Sequence, residues 1–353
     1  MPLLARMLIS PLFIDIRPGA IEDLGDLLAD RRISAAGHVA VAVGPGQGER
    51  IVETPGASLC NADVVTVTGA SLDAAGELQA KLQSRSHDAL VGIGGGRTLD
   101  VAKYAATRLA LPMVAVPTNL SHDGIASPVS SLAHEGGKGS FGVSMPIAVV
   151  VDVDYIRAAP VRQVRAGIGD AVSNLSAIAD WELAAAERGE PVDGIAVTFA
   201  RTAAEALLRR TDTVSDDAFL ICLADALVLS GMAMAAAGSS RPCSGGDHEF
   251  LHAVDRFFPG TGNHGELAGV GAMFCTYLRG DTDRLAQLDR CLRRHDLPRT
   301  AADLGLSREQ FTTAVLAAPA TRPDRYTILE HLNLTPGADL ARGQVEDYEA
   351  SYG

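Results

Sequence analysis

The chain has 353 residues, 47% of them hydrophobic, with 36 glycines, a formal net charge of −13 and a pI near 5.1. It is too long for one ordinary core and too acidic for nucleic acid or an anionic membrane as its main partner, so two globular α/β-type domains acting on a small molecule are expected. Five cysteines (Cys60, Cys222, Cys243, Cys275 and Cys291) are odd in number and widely spaced without CxxC, which excludes a disulfide framework or a zinc ribbon.

Arg6 precedes only a short apolar stretch, and no apolar span of about 18 residues is expected, so the default compartment is the reduced cytoplasm without integral membrane association. In chain order, "HVAVAVG" (His38–Gly44) reads as a buried strand that ends in the glycine-rich "GPGQGER". "DVVTVTG" (Asp63–Gly69) is the next strand, and a helical stretch around "LDAAGELQAKLQS" follows. "HDALVGIGGG" (His87–Gly96) is a third strand, "RTLDVAKYAATRLA" a helix, "PMVAVPT" a fourth strand and "PIAVVVDVDYI" a fifth. Short β-branched runs alternating with helical periods predict βαβ units and a parallel sheet covered on both faces. After about Gly167 the texture turns Ala- and Leu-rich with helical spacing, so a helical domain is expected there, with the boundary near residues 155–167. The division is therefore 1–160, a Rossmann-like domain, and 161–353, a helical domain.

Gly94, Gly95 and Gly96 stand where a strand ends and a helix begins. Glycine admits close approach of the backbone, and a helix N-terminus offers free N–H groups to a phosphate. The spacing is not GxGxxG, so a plain structural turn is an equal reading on the triplet alone. The next loop, "PTNLSHDGIASP", carries Thr118, Ser121, His122 and Asp123, which suit either a ligand or local capping.

In the second half, "SSRPCSGGDHEFLHAVDRFFPGTGNHGELAGVGAM" places His248 and His252 at i and i+4, on one face of a helix, and His264 at the head of another helical run. Asp170, in "RAGIGDAVSN", is expected at the start of the first helix of that half. Two imidazoles and a carboxylate match a catalytic site with three protein ligands and one open position, whereas a lone histidine is more often a surface or capping residue. Cys243 is the rival ligand nearest in sequence and reads as packing.

Taken together, "GIGGGRTLDVAK", "VPTNLSHDGIASP", "GIGDAVSN", "SRPCSGGDH", "HGELAGVG" and "RPDRYTIL" resemble the sn-glycerol-1-phosphate dehydrogenase family, within the superfamily of iron-containing alcohol dehydrogenases, glycerol dehydrogenases and dehydroquinate synthases. The resemblance runs in order from about residue 38 to residue 331. It implies an N-terminal Rossmann-like domain, an all-α C-terminal domain and an active site between them. It further implies metal ligands Asp170, His248 and His264, usually for Zn2+, with Fe2+ or Ni2+ as alternatives. His252 would lie close to the metal outside its ligand set. The implied cofactor is NADPH or NADH on Gly94, Gly95, Gly96 and Asp100, with Thr118, Ser121 and Asp123 beside the nicotinamide. Catalytic roles fall to His252 and Asp123, the substrate is a small phosphorylated ketone, and a homo-oligomer is expected.

The chain departs from the family pattern at Asn119-Leu120, at Asp247, where Glu is common, and in the unassigned run "HEGGKGSFGVSM". Three other readings stay open: a polyol or aldehyde dehydrogenase with an unphosphorylated substrate, a sugar phosphate cyclase of the same superfamily, and an inactive scaffold. The cyclase wants several basic residues around a phosphate, and the Ala-rich helices offer few. Between the two cofactors, no acid at the end of "HVAVAVG" opposes a 2′-phosphate and Arg50 attracts one, so NADPH is favoured with NADH tolerated.

Overall fold

The computed structural model describes residues 8–54, 57–59, 61–135, 137–335 and 339–352; Arg6 and Cys60 lie outside them. The chain divides into two compact units, Met1–Pro160 and Val161–Gly353.

The strands of the first unit are β1 (Phe13–Arg17), β2 (Val39–Val43), β3 (Asp63–Thr66), β4 (Ala89–Gly94), β5 (Met113–Pro117), β6 (Val129–His134), β7 (Gly137–Gly142) and β8 (Ala148–Asp152). Six of them form one sheet in the order β1-β8-β5-β4-β2-β3, and every pairing in it is parallel. The four central strands are buried along their whole length, which is why they read as unbroken apolar runs. β1 escapes the sequence reading because "FIDIR" is a five-residue edge strand interrupted by Asp15.

The run "PIAVVVDVDYI" is a strand only through Asp152. There the Asp152 carboxylate accepts the Asp154 N–H at 3.0 Å and starts a helix at Val153. The same carboxylate accepts the N–H groups of Gly19 (3.1 Å) and Ile21 (3.0 Å), tying the connection after β1 to the end of β8. The unassigned run falls on β7, which pairs antiparallel with β6. Its Gly and Ser residues carry no apolar period from which to read a strand.

From β2 the chain moves outward to β3 and then returns to β4 on the other side of β2. The topological switch point therefore lies between β2 and β4, and the loops at their carboxyl ends begin with Gly44 and Gly95. The Gly96–Leu109 helix covers the sheet with Leu99, Val101, Ala102, Ala105 and Ala106, all buried.

In the second unit the described residues form helices and no strand. Its longest helix, Val161–Arg188, spans 28 residues. Asp170 lies within this helix rather than at its start, which corrects the expectation. Gly169 beside it serves helix packing. The Asp217–Ala237 helix also corrects an expectation, being long and apolar enough by composition to cross a membrane (mean hydropathy 2.1). Its apolar window is 61% buried against neighbouring helices, which accounts for its composition.

Candidate active site

Three helices of the second unit meet at one point. Gly169 and Gly265 let the Val161–Arg188 and His264–Leu278 helices touch backbone to backbone. A Cβ on Gly265 would stand 1.7 Å from the Ala166 carbonyl oxygen, and one on Gly169 would stand 2.2 Å from the Gly265 carbonyl oxygen. Gly271 does the same against the Gly246–Phe257 helix, where a Cβ would stand 2.5 Å from the Asp247 carbonyl oxygen. Asp170 and His264, each next to one of these glycines, and His248, next to the Asp247 that Gly271 packs against, are thereby brought together.

His264 Nε2 lies 3.2 Å from His248 Nε2 and 3.4 Å from Asp170 Oδ1, and His248 Nε2 lies 3.9 Å from the same oxygen. Zinc–ligand bonds of about 2.0–2.2 Å separate tetrahedral donor atoms by roughly 3.3 Å, so the triangle has the size a zinc-like cation requires. The donor set, two imidazole nitrogens and one carboxylate oxygen without thiolate, is equally suited to such a cation. Asp170 and His248 are buried and His264 is partly exposed, which leaves one side open.

The capping box fixes the start of the His264–Leu278 helix: the Asn263 N–H donates to Glu266 Oε2 at 2.7 Å. Glu266 also takes a two-pronged ion pair from Arg162, at 2.6 and 2.9 Å, linking the first turns of the two helices. Asp247 departs from the family pattern, where Glu is common. In the structure its Oδ1 lies 2.5 Å from His248 Nδ1, so it keeps the proton on that nitrogen and turns the Nε2 lone pair toward Asp170 and His264. This positioning role went unread because a carboxylate adjacent in sequence gives no periodic signal.

His252 lies one turn along the same helix from His248 but is absent from the ligand cluster. Its Nε2 faces Arg322 Nη2 at 2.9 Å; guanidinium is only a donor, so that nitrogen is the acceptor. Cys243 is buried, its thiol donating to the Ser230 carbonyl at 3.4 Å, as expected of a packing residue. Glu249 is buried beside Asp180 and Glu330, and burial first and these carboxylates second push it up to about 9.

In the first unit the glycine turn lies at the start of the Gly96–Leu109 helix, whose N-cap, Gly95, offers no side-chain cap to the first N–H groups. Each glycine has a close neighbour. A Cβ at Gly94 would meet Thr98 at 2.8 Å, one at Gly95 the Asn119 amide at 2.8 Å, and one at Gly96 the His122 ring at 2.2 Å. The turn after β4 and the loop after β5 are thus in contact. The Thr118 N–H donates to the Gly94 carbonyl at 3.0 Å, and the His122 Nδ1 accepts the Gly124 N–H at 3.0 Å. Burial lowers the His122 pKa. Ser121 and Asp123 stand on this loop, half-buried, with Asp123 opening a short 3-10 turn. Asp100 is turned inward, paired with the fully buried Lys103 at 3.1 Å. At the end of β2, Glu49 accepts the Gly46 N–H at 3.2 Å and so caps the following short helix.

Residues 15–160 match the iron-containing alcohol dehydrogenase family. The glycerol-1-phosphate dehydrogenase of Methanosarcina mazei is 35% identical over 96% of this chain and 96% of its own length. That of Archaeoglobus fulgidus is 38% identical over 77% of this chain and 79% of its own length. This chain belongs to the glycerol-1-phosphate dehydrogenase family. The probable glycerol dehydrogenase of Sinorhizobium meliloti shares the fold, with a TM-score of 0.74 at 22% identity over 99% of each chain. The Schizosaccharomyces pombe glycerol dehydrogenase does so with a TM-score of 0.73 at 21% identity over 99% of this chain and 92% of its own. The fold is therefore that of the iron-containing alcohol and glycerol dehydrogenases, an α/β unit with a parallel sheet followed by a helical unit.

Proposed function

We propose that the protein is an NAD(P)H-dependent oxidoreductase that reduces dihydroxyacetone phosphate to sn-glycerol 1-phosphate, with a divalent cation, zinc by its donor set, on Asp170, His248 and His264. The convergence of those three ligand atoms within 4.8 Å of one another carries the reading, supported by relatives named for this activity and for NAD(P)+. When bound, the cation supplies a Lewis acid for the carbonyl oxygen and the nicotinamide supplies the hydride.

The chain's own residues prepare that chemistry. Asp247 fixes the His248 tautomer, and the close packing of Gly169 with Gly265 holds Asp170 and His264 within ligand distance. Gly94, Gly95 and Gly96, with the uncapped N-terminus of the helix they open, take the cofactor pyrophosphate. Thr118, Ser121 and Asp123 order the nicotinamide end. Asp100 acts at one remove, by neutralising Lys103 beneath the turn. Because His252 Nε2 accepts from Arg322, the proton that completes the alcohol comes from water, and His252 serves to orient that guanidinium. The test is oxidation of NADPH by the zinc-loaded protein with dihydroxyacetone phosphate, followed by chiral analysis of the product; a carbocyclic product or no turnover contradicts the reading.

A further inference from the structure

A cleft of about 730 Å³ in the second unit is lined by none of the three metal ligands and by neither Asp247 nor His252. Arg162, Arg165, Arg293 and Arg299 line it, together with Leu297, Pro298 and Leu304. Four arginines at one cleft stand out in a chain of net charge −13. Glu266 also lines the cleft. It follows His264 by two residues, about 200° round the helix, so it faces away from the metal ligands.

The guanidinium groups are only partly used. Arg162 spends Nε and Nη2 on Glu266, Arg293 spends Nε on Asp289, and Arg299 spends Nη1 on Asp289 and the Tyr352 carbonyl. Arg165 pairs with Asp296 at 2.9 Å, but its buried Nε–H meets no acceptor among the described residues. A buried donor left unmet is costly and marks a place where an acceptor belongs. Among the described residues, each of the four keeps at least three of its five N–H donors for another partner. The lining carboxylates offer little opposition. Glu266 is held by Arg162, and Asp303 accepts the main-chain N–H groups of Arg299 and Thr300 at 2.9 and 3.1 Å. The Asp296 side chain is 72% exposed and is free to turn to water.

Guanidinium forks suit a dianionic head, and the two leucines and the proline suit an apolar body. The volume is that of a site for a whole small molecule rather than for a lone ion. We propose that this cleft binds a small organic dianion with an apolar body, a ligand distinct from the substrate, and that this ligand acts on the metal site through Arg162. Arg162 holds Glu266, and Glu266 accepts the Asn263 N–H at the start of the helix headed by His264. An anion that draws the Arg162 fork away loosens that hold, so ligand and metal oppose one another, each by the same factor. The coupling rests on the metal ligands proposed above; the binding does not.

The test is calorimetry on zinc-loaded protein saturated with NADPH, titrated with phenyl phosphate and separately with phthalate. One molecule per chain should bind, and Arg165→Gln and Arg293→Gln should each weaken it about tenfold to a hundredfold, the worth of a charge-assisted hydrogen bond. Binding of phenyl phosphate alone assigns a phosphate head, and binding of phthalate alone a carboxylate head. Binding of neither, or binding that neither variant weakens, overturns the site. Arg293 is largely exposed, so Arg293→Gln decides if Arg165→Gln does not fold. Zinc affinity, read with a competing chelator, should fall about fivefold or more when the ligand saturates wild type. An unchanged zinc affinity overturns the coupling, and the calorimetry still judges the site.

Discussion

At the residue scale, the three ligands and their two supporters should separate cleanly. His264→Ala removes a ligand and should abolish both metal retention and turnover. His252→Ala should keep the metal and slow turnover, because it releases Arg322 without touching the ligand cluster. Elemental analysis of both proteins checks this, and full metal occupancy in His264→Ala would refute the ligand assignment. Asp247→Asn should weaken metal affinity by about 10–100-fold, the usual effect of losing the carboxylate behind a ligating histidine. A different histidine sets an acid limit on stability. His295 is buried against Phe219, and burial, followed by Arg294 and Arg165, lowers its pKa to about 4. The depressed value means the unfolded chain binds the proton first. The associated stability is complete above the unfolded value of about 6.5 and drains away as pH falls toward 4, by at most about 3 kcal/mol. Between pH 7 and 4.5 the Tm should fall less in His295→Leu than in wild type.

At the scale of elements, helix contacts rather than single ligands build the site. Gly265→Ala must separate two backbones, so it should destabilise the protein by about 1–3 kcal/mol and weaken metal binding together. Gly76→Ala, in a helix with open space around it, should instead be neutral or stabilising by up to about 1 kcal/mol. Chemical denaturation of the two variants reads both effects. In the first unit, Gly95→Val displaces the Asn119 amide and blocks backbone approach, so it should raise the cofactor dissociation constant strongly while the fold holds. Calorimetry with NADPH checks it. The glycines also show where sequence reading stops. Gly94–Gly96 were legible because they fall between a strand and a helix, whereas nothing local marks what Gly169 does. Close packing with a helix about 100 residues later decides its role, and no local pattern carries that information.

At the scale of the whole molecule, the buried parallel strands, the later helical half and the histidine cluster were legible because each leaves a periodic or compositional mark. The edge strand β1, the glycine-rich β7, and the contact of Arg322 with His252 leave none, since edges, glycine strands and long-range polar contacts depend on partners distant in sequence. Cofactor choice likewise follows from placement. Glu49 is folded back onto the Gly46 N–H and is followed at once by Arg50, so NADPH should be preferred with NADH tolerated. Steady-state kinetics with both cofactors, repeated in Arg50→Glu, should show a preference that shrinks in the variant.

The need for a divalent metal on Asp170, His248 and His264 is read out by following NADPH oxidation with dihydroxyacetone phosphate while zinc is titrated into metal-stripped protein. Activity should be negligible at the start and rise to saturation at one zinc per chain, with no recovery in His264→Ala. Full turnover in the stripped protein, or zinc-dependent recovery in His264→Ala, would show that the metal is not needed at these residues.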